Sequence, residues 1–405
     1  MAATPTSPSA STSPTGPLSG VKVVDLSVMI SGPWAAMTLA DQGADVIKVE
    51  SPGIGDFMRY IGSAKGGMTG IFLNNNRGKR SLVVDLKKPE GVSVLTSLIA
   101  SADVVIQNFR PGAVERLGIG YEQMRAVNED LIYVSISGYG PDGPASGHRV
   151  YDNVIQAASG LASVQTDPST GEPALFRTLL CDKVTSLMAA QAISAALYAR
   201  ASGTARGQHI VLAMIDAAVA FMWPDSGMDA VLVDDDARRT PTLAQNYAVT
   251  RMRDGFASIG VVSDDEFRGL CAAYGRAEVA EDPRFATIAA RTQNATELVP
   301  LLTELAAAQD VDDFIPRAQA HDVPAAKVVD LRDLPHQPQI VHNGVFHERE
   351  HPTAGRLREP RPAARFSSTP AQVGRLAPTP GEHSDEIVSE LGFDPVALRS
   401  AGVIA

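Results

Sequence analysis

The fold is decided by the stretch GVKVVDLSVMISGPWAAMTLADQGADVIKVESPG, residues 20–53. Residues 21–26 are apolar and β-branched, which predicts a strand. The Gly-Pro pair at 32–33 opens a helix, because proline fits the first helical turn, and Gly43 closes it. Residues 44–50 predict a second strand. The stretch is therefore a strand–helix–strand unit.

The same alternation continues along the chain. SLVVDL, ADVVIQN and LIYVSISGYG predict further strands at 81–86, 102–108 and 131–140, with the helical stretch GVSVLTSLIAS at 91–101 among them. Strands that alternate with helices form a parallel sheet covered by helices. The sequence therefore predicts an α/β fold with a Rossmann-like large domain.

Two segments interrupt this pattern. Residues 1–18 carry no charge and no apolar centre, so they do not form a signal peptide and are expected to be a disordered tail. The polar stretch VDDDARRTPTLAQN at 233–246 marks a change of character, and the sequence from 253 onward indicates a smaller α+β domain. A boundary between two domains is expected in this region.

The amino-acid composition narrows the classes of function that this protein can have. The chain of 405 residues has a net charge of -11, which argues against nucleic acid as the main partner. No apolar run is long enough to span a membrane, and two cysteines give no disulfide framework, so we expect a cytoplasmic protein. The eight histidines form no zinc pattern, and no metal site is predicted.

One basic segment departs from this acidic background. The stretch RGKRSLVVDLKK at 77–88 holds five cations against the single carboxylate of Asp85. Such an island favours a small polyanionic ligand, although a solvated basic face explains it equally well on local grounds.

Asp182 is a single carboxylate between an apolar run and a long Ala-rich helix that we expect to reach about Arg200. An N-cap is the simplest interpretation, since aspartate accepts backbone N–H bonds at a helix start. A carboxylate in that position also serves as a nucleophile, with neighbouring donors available for an oxyanion. Local sequence favours the cap and leaves the nucleophile open.

Other candidates are weaker. No G-x-S-x-G or G-x-G-x-x-G motif is present. The HRVYD segment, His148 to Asp152, matches a short acyltransferase pattern that arises often by chance. Cys181 stands in an apolar run, where cysteine is usually a small buried hydrophobe and not a reactive thiolate.

Several segments together resemble the class III CoA-transferase family and cover most of residues 19–395 in the family's order. The main ones are GVKVVDLSVMISGPWAAMTLADQGADVIKVE, NNNRGKRSLVVDLKKPEG, ADVVIQNFRPGAVERLGIGYEQM, VYDNVIQAASGL and SGTARGQHIVLAMIDA. The resemblance implies an interlocked homodimer. It also implies a large domain built from residues 19–225 and 336–405, with a small domain at 226–335 inserted between its two parts.

The resemblance also implies a site. Asp182 occupies the position of the family's nucleophile, which forms an acyl anhydride and then an aspartyl-CoA thioester, so the expected substrates are an acyl-CoA and a carboxylic acid. Further expected contacts of coenzyme A are Ile30, Ser31, Asn76, Arg77, Lys79, Asn108, Phe109, Arg110, Arg116, Arg149, Tyr151 and Asp152. Arg110 and Arg116 are alternatively surface salt-bridge partners.

Two alternatives remain open at this point. An α-methylacyl-CoA racemase of the same family has a histidine where this chain has Tyr151, and a phenol with a pKa near 10 is a poor base at neutral pH. A non-catalytic CoA-binding protein would use Asp182 as a plain cap. Transfer is favoured over both. Val28 and Ile30 stand where the formyl-CoA transferase of this family has more polar residues, so the resemblance favours an apolar acyl group.

Overall fold

A computed structural model describes residues 16–167, 169–240, 242, 244, 247–371 and 373–405. Two compact units are present: one contains the chain up to Thr242 together with Gly344–Ala405, and the other contains Leu243–Asn343. The predicted domain borders lie earlier, at 225/226 and 335/336: the polar segment after Ser226 groups with the first unit, and the residues from 336 to Asn343 group with the second.

The first part of the larger unit alternates strands and helices. Its strands are β1 Lys22–Asp25, β2 Asp45–Glu50, β3 Ala64–Lys65, β4 Met68–Thr69, β5 Lys79–Val83, β6 Val104–Gln107, β7 Ile132–Ser137 and β8 Gln208–Ala213. Its helices are α1 Ser31–Asp41, α2 Gly70–Asn76, α3 Pro89–Ala100, α4 Ala113–Arg116, α5 Tyr121–Val127, α6 Asp152–Ala158, α7 Leu161–Val164, α8 Leu180–Ala201 and α9 Met214–Ser226.

The smaller unit is α+β. Its strands β9 Thr250–Arg251, β10 Phe256–Ile259 and β11 Ala325–Lys327 pair antiparallel in the order β11-β10-β9. Its helices are α10 Asp264–Ala273, α11 Glu278–Glu281, α12 Ile288–Gln293, α13 Ala295–Ala307, α14 Val311–Ala320 and α15 Pro338–His342. Met252, Leu270 and Phe314 are among the buried residues of its core.

The chain then returns to the larger unit. The antiparallel hairpin β12 Phe346–His351 and β13 Gly355–Pro360 is followed by α16 Ser384–Glu390 and α17 Pro395–Ser400. Residues after 380 border the edge strand β5: the Ser81 and His383 backbones are hydrogen-bonded at 3.0 Å, and Val84 pairs with Ile404.

The main sheet has the order β5-β2-β1-β6-β7-β8, and every pairing in it is parallel. Side chains alternate between its faces: Val24 packs with α3 residues such as Leu95, while Val23 packs with Ala-rich helices α1 and α8. The predicted α/β fold with a parallel sheet is confirmed. Small residues such as Ala35 and Ala189 are fully buried where α1 and α8 approach each other.

The predicted disordered tail falls mainly on residues 1–15, which lie outside the described residues. Its last three residues are ordered, however: the Leu18 N–H donates to the Gln42 carbonyl at 2.8 Å, and the Leu18 side chain packs on the core. The boundary predicted at residue 18 is therefore too late.

Candidate active site

The order of sheet strands reverses between β1 and β6, and in open parallel sheets ligands bind beyond the carboxyl ends of strands at such a switch point. Here the loop after β1 and the loop after β6 are joined directly by hydrogen bonds. The Asn108 side chain, just after β6, accepts from the Val28 N–H at 2.9 Å and donates to the Val28 carbonyl at 2.7 Å. Both polar atoms of the Asn108 amide are therefore bonded to the Val28 backbone, and they fix the turn between β1 and α1.

Met29, the next residue in that turn, has φ of 70°, a left-handed conformation that a non-glycine side chain adopts only under constraint. The constraint is polar. The Met29 N–H donates to Asp56 Oδ1 at 3.1 Å, and Lys48 Nζ lies 2.9 Å from Asp56 Oδ2 and donates to the Ser27 carbonyl. Lys48 and Asp56 are fully buried, so an interior ion pair holds the turn that leads into α1.

Asp182 is partly buried near the start of α8, against that turn. The N-cap of α8 is Leu179, which makes no side-chain capping bond, and Asp182 is the third helical residue. One turn later, Ser186 Oγ lies 2.7 Å from the Ser31 carbonyl, which fixes α8 against the first residue of α1. The N-cap interpretation of Asp182 is therefore wrong.

Asp152 supplies the capping contact instead. Its Oδ2 accepts from the Asp182 N–H at 2.9 Å, and its Oδ1 accepts from Gln156 Nε2 at 2.5 Å. Gln156 Nε2 also lies within hydrogen-bond distance of the Phe176 and Thr178 carbonyls, and its Oε1 accepts from the Phe176 N–H at 2.8 Å. The segment before α8 is thus fixed by α6, and the Asp182 carboxylate has no capping duty.

The Asp182 carboxyl is electrostatically unusual. The pKa of this carboxyl is raised from the ordinary 3.8 to about 7: burial is the largest cause, the neighbouring Asp152 carboxylate adds to it, and a backbone hydrogen bond from Ser31 opposes it. A carboxyl with a pKa near 7 is a stronger base and nucleophile than an ordinary surface aspartate, and perturbed groups of this kind concentrate at functional sites.

A cavity of about 850 Å³ lies next to this region: its lining includes Lys183, the neighbour of Asp182 in sequence, but not Asp182 itself. Leu179, Lys183 and Leu187 line it from α8, and their four-residue spacing places them on one helix face, next to the face of Asp182 and Ser186. Most of the remaining wall is apolar and comes from α1, α2 and the β12–β13 region, including Ile30, Trp34, Met37, Ile71, Phe346 and Phe366. The volume is suited to an extended small molecule.

The basic island lies largely in the interior. Lys79 is fully buried, and its Nζ donates to Asp25, the Pro33 carbonyl and Asn76 at 2.7–2.8 Å. Burial lowers the pKa of Lys79 to about 8, and the Asp25 carboxylate limits that shift. Asn76 is also fully buried. Their ammonium and amide groups are therefore bonded to the protein, and contact with coenzyme A stays a prediction for both.

Two more cations of the island, Arg77 and Arg80, are also paired with carboxylates. Arg77 makes a two-pronged ion pair with Asp41 at 3.0 and 2.6 Å, although it also lines the cavity. Arg80 pairs with Asp45, Glu386 and Glu390. Three of the five charges of the island are thus paired with carboxylates that are distant in sequence, and binding of a small polyanionic ligand at this island stays a prediction.

The remaining predicted residues are divided between the interior and the surface. Ile30 and Ser31 are buried at the start of α1, and Phe109 is partly buried against the core below the sheet. Arg110, Arg116 and Arg149 are exposed, and within the described ranges no carboxylate lies within 4 Å of their guanidinium groups. The salt-bridge alternative for Arg110 and Arg116 is thus not found there. Their contact with coenzyme A stays a prediction.

Tyr151 is 68% exposed at the N-cap of α6, whereas Asp152 is buried. Cys181 is fully buried, and burial raises the pKa of its thiol to about 12, which makes a reactive thiolate unfavourable. His148 is exposed, with its ring edge-on to Tyr139. In the part of the chain that is described, no cluster of His, Cys, Asp or Glu is arranged to hold a metal ion.

Sequence reasoning missed Gln156 and Lys183. Gln156 lies four residues after Asp152, a spacing that places both side chains on one helix face and was available as a signal. Lys183 gave no signal beyond its position next to Asp182. None of the described helices is both long and apolar enough to cross a membrane.

The fold and site together define a Rossmann-like α/β protein with a partly buried carboxyl of raised pKa, Asp182, near the switch point of its sheet. The sequence model of CoA-transferase family III matches residues 18–384, and the chain belongs to that family. The predicted family and enzyme class are confirmed.

Named relatives agree with this assignment. The chain is 33% identical over 396 residues to succinyl-CoA:glutarate CoA-transferase of Homo sapiens, covering 96% of this chain and 90% of that protein. It is 34% identical over 386 residues to succinate–glutarate CoA-transferase of Agrobacterium fabrum, covering 93% and 96%. The crystal structure of a CaiB/BaiF family protein from Brucella suis matches with a TM-score of 0.82 at 34% identity, covering 93% and 100%.

Proposed function

We propose that this CoA-transferase moves coenzyme A from an acyl-CoA to a carboxylic acid, with Asp182 as the covalent nucleophile. The observation that carries the proposal is the state of the Asp182 carboxyl: it is partly buried beside a cavity, its pKa is raised to about 7, and Asp152 has taken over the capping of α8. A plain helix cap requires none of these features.

The first half-reaction starts from the ionised carboxylate. An Asp182 oxygen attacks the thioester carbonyl, a C–O bond forms, the C–S bond breaks, and CoA thiolate leaves an acyl-aspartyl anhydride. The thiolate then attacks the aspartyl carbonyl, which forms an aspartyl-CoA thioester and releases the donor acid as its carboxylate.

The second half-reaction repeats these exchanges in reverse order. The acceptor carboxylate attacks the aspartyl-CoA carbonyl and expels the thiolate, which gives a second anhydride. The thiolate attacks the acceptor's acyl carbon, a new C–S bond forms, and the Asp182 carboxylate is regenerated. Water, ATP and an external redox partner take no part, so exclusion of water from the anhydride is essential.

The surroundings of Asp182 support these roles. The Ser31 backbone already hydrogen-bonds the carboxylate at the amino end of α1, where a helix dipole stabilises negative charge. We assign the phosphates of coenzyme A to the exposed guanidinium groups of Arg110, Arg116 and Arg149, which have no carboxylate partner among the described residues, because charge-assisted bonds to phosphate favour arginine.

We further propose the interlocked homodimer and the cytoplasmic location that the sequence led us to expect. Exposed apolar side chains on α8 and α9 support a partner surface: Leu187 is 53% exposed, Tyr198 75%, Phe221 50% and Trp223 43%. Mass photometry checks the dimer, and a mass equal to one chain at micromolar concentration contradicts it.

The test of the nucleophile compares Asp182→Ala with a matched control, Asp216→Ala. Asp216 is also the third residue of its helix, α9, but it is exposed, so both variants lose the same kind of helix-dipole contact. Wild type, Asp182→Ala and Asp216→Ala are assayed with a panel of acyl-CoA donors and acids, and hydroxylamine-trapped adducts are located by mass spectrometry. We expect Asp182→Ala to lose transfer and adduct while it still binds CoA.

Three results contradict the proposal. Substantial transfer by Asp182→Ala removes the nucleophile assignment. Solvent deuterium entering the α-carbon of an acyl-CoA, without CoA exchange, indicates a racemase. CoA binding by the wild type with no transfer to any acid indicates a binding protein.

A further inference from the structure

The turn between β1 and α1 contains a strained residue. Met29 has φ of 70°, and among the described residues only one other non-glycine residue, Asp322 with φ of 58°, has a positive φ. The left-handed conformation disfavours a residue with a β-carbon by a population factor of about 5–30. Met29 therefore stays in this conformation only because contacts with its surroundings hold it there.

Asp56 is the side chain that holds the Met29 backbone. Its Oδ1 accepts from the Met29 N–H at 3.1 Å and from the Met58 N–H at 3.0 Å. Asp56 is fully buried, where hydrogen bonds are stronger than in water. One carboxylate oxygen thus joins the turn between β1 and α1 to the loop that follows β2.

Asp56 is itself fixed by buried charged groups. Lys48 Nζ lies 2.9 Å from its Oδ2, and the Asp56 N–H donates to Glu50 Oε1 at 3.0 Å. Glu50 accepts from Arg59 at 2.9 Å and 2.6 Å, and the Arg59 guanidinium lies 3.7 Å from the ring centroid of Phe72. Two carboxylates and two cations therefore form a charge-balanced support under the turn.

The strained turn leads directly to the contacts of Asp182. Only Ile30 separates Met29 from Ser31, the first residue of α1. The Ser31 carbonyl accepts from Ser186 Oγ at 2.7 Å, one helical turn after Asp182 on α8, and the Ser31 backbone hydrogen-bonds the Asp182 carboxylate. A change of backbone conformation at Met29 would redirect the Ser31 N–H, and a misplacement of about 1 Å near a reacting group costs about 100-fold in rate.

We infer that Asp56 is a positioning residue for the reaction at Asp182: it keeps Met29 in the left-handed conformation and thereby directs the Ser31 N–H at the Asp182 carboxylate. Glycine would adopt this conformation without strain. The Met29 side chain instead packs on a buried cluster that includes Met58 and Phe72, so the turn keeps a side chain and needs Asp56 to hold its backbone. This inference rests on the proposed function and adds a residue that acts through the backbone.

The experiment is a double-mutant cycle on kcat, measured with the fastest donor–acid pair of the acyl-CoA panel. Asp56→Ala should lower kcat about tenfold or more and change KM for the acyl-CoA less than about threefold, because a fully buried carboxylate acts on positioning and not on substrate binding. Glycine removes the strain at position 29. In the Met29→Gly background, Asp56→Ala should therefore lower kcat less than about threefold.

The control background is Asp322→Gly. Asp322 also has a positive φ, but it is exposed and belongs to the smaller unit. Glycine there relieves the same kind of strain, so a rescue that came only from added stability would appear in both backgrounds. We expect Asp56→Ala to lose about tenfold or more in kcat in the Asp322→Gly background, as it does in the wild-type background.

A second pair of variants leaves the buried charges in place and decides the question if Asp56→Ala does not fold. Met29→Ile and Met29→Leu introduce side chains of equal size, but the β-branched isoleucine is poorly compatible with a positive φ. Met29→Ile should therefore have a kcat about fivefold or more below that of Met29→Leu. Equal kcat values in these two variants overturn the inference.

Three other results overturn the inference and leave the proposed function standing. They are a wild-type kcat in Asp56→Ala, an equal loss of kcat with methionine and with glycine at position 29, and a rescue by Asp322→Gly as large as that by Met29→Gly. A wild type that transfers CoA to no acid of the panel and forms no Asp182 adduct overturns both.

Discussion

The backbone N–H of Asp182 donates to the carboxylate of Asp152 at 2.9 Å, so one aspartate caps the helix that carries the other. The same contact brings two carboxyl groups close together, and their repulsion contributes to the raised pKa of Asp182. Structural support and electrostatic activation thus come from a single side chain.

Asp152→Asn should shift the acid limb of the pH–rate profile to lower pH. Asp182 attacks only when ionised, so activity should rise through its pKa of about 7, and removal of the Asp152 charge lowers that pKa. The measurement is kcat/KM for the acyl-CoA from pH 5 to 9. Asp216→Asn serves as the control and should leave the limb in place. A limb that stays near 7 in Asp152→Asn assigns the titration to another group.

Asp182→Asn should stabilise the protein at pH 8 but not at pH 4. The folded pKa is raised above its unfolded value, so the carboxyl contributes no penalty below the unfolded pKa of about 4 and its full penalty once the pH exceeds about 7. We expect about 1–3 kcal/mol of added stability at pH 8, measured by urea unfolding. A gain of equal size at both pH values would indicate a cause other than ionisation.

Replacing Arg110, Arg116 or Arg149 by glutamine should raise KM for the acyl-CoA several-fold at low salt and less at high salt, because screening weakens exposed charge contacts. Stability should change by less than about 0.5 kcal/mol, since these exposed side chains have no carboxylate partner among the described residues. Arg206→Gln is the control, because Arg206 pairs with Glu129 and Asp130. An unchanged KM at both salt concentrations removes the residue concerned from the phosphate site.

Asn108→Ala should reduce kcat as well as stability, because the amide fixes Val28 and through it the turn that leads to Ser31. Asn128→Ala is a matched control: its amide likewise donates to the backbone, at the Ile99 and Ala102 carbonyls, and accepts from a backbone N–H, that of Asp130, but away from the site. Both should lose about 1–3 kcal/mol in urea unfolding, and only Asn108→Ala should lose kcat, about tenfold or more. Equal kcat in the two variants would make Asn108 purely structural.

The strands of the main sheet could be predicted from the sequence, because strands that are buried on both faces appear in the sequence as continuous β-branched runs. Residues 44–50 were predicted as a strand, and the observed strand is Asp45–Glu50. The position of Asp182 near a helix start was also predictable. Its exact position in the helix was not predictable. The helix α8 begins at Leu180, and its capping contact comes from Asp152 on α6, which local sequence does not encode.

The ion-pair partners of the basic island could not be predicted from the sequence either, because they too are distant along the chain. Arg80 and Glu390 are 310 residues apart and meet only because the chain returns to β5 after the smaller unit. A count of charges nearby in sequence therefore left a solvated basic face open as an interpretation, whereas folding places Arg77, Lys79 and Arg80 in ion pairs with distant carboxylates.

The late return of the chain to β5 has a consequence for synthesis on the ribosome. The Ser81 N–H donates to His383 Nδ1 and the Ser81 carbonyl accepts from the His383 N–H, 302 residues later, while the Ser81 hydroxyl accepts from the Gly381 N–H, 300 residues later. At about 5–20 residues per second, the nascent strand waits about 15–60 s for the residues that cover it. During that interval its free edge is open to pairing with other chains, so newly made protein should depend on chaperones more than the finished enzyme does.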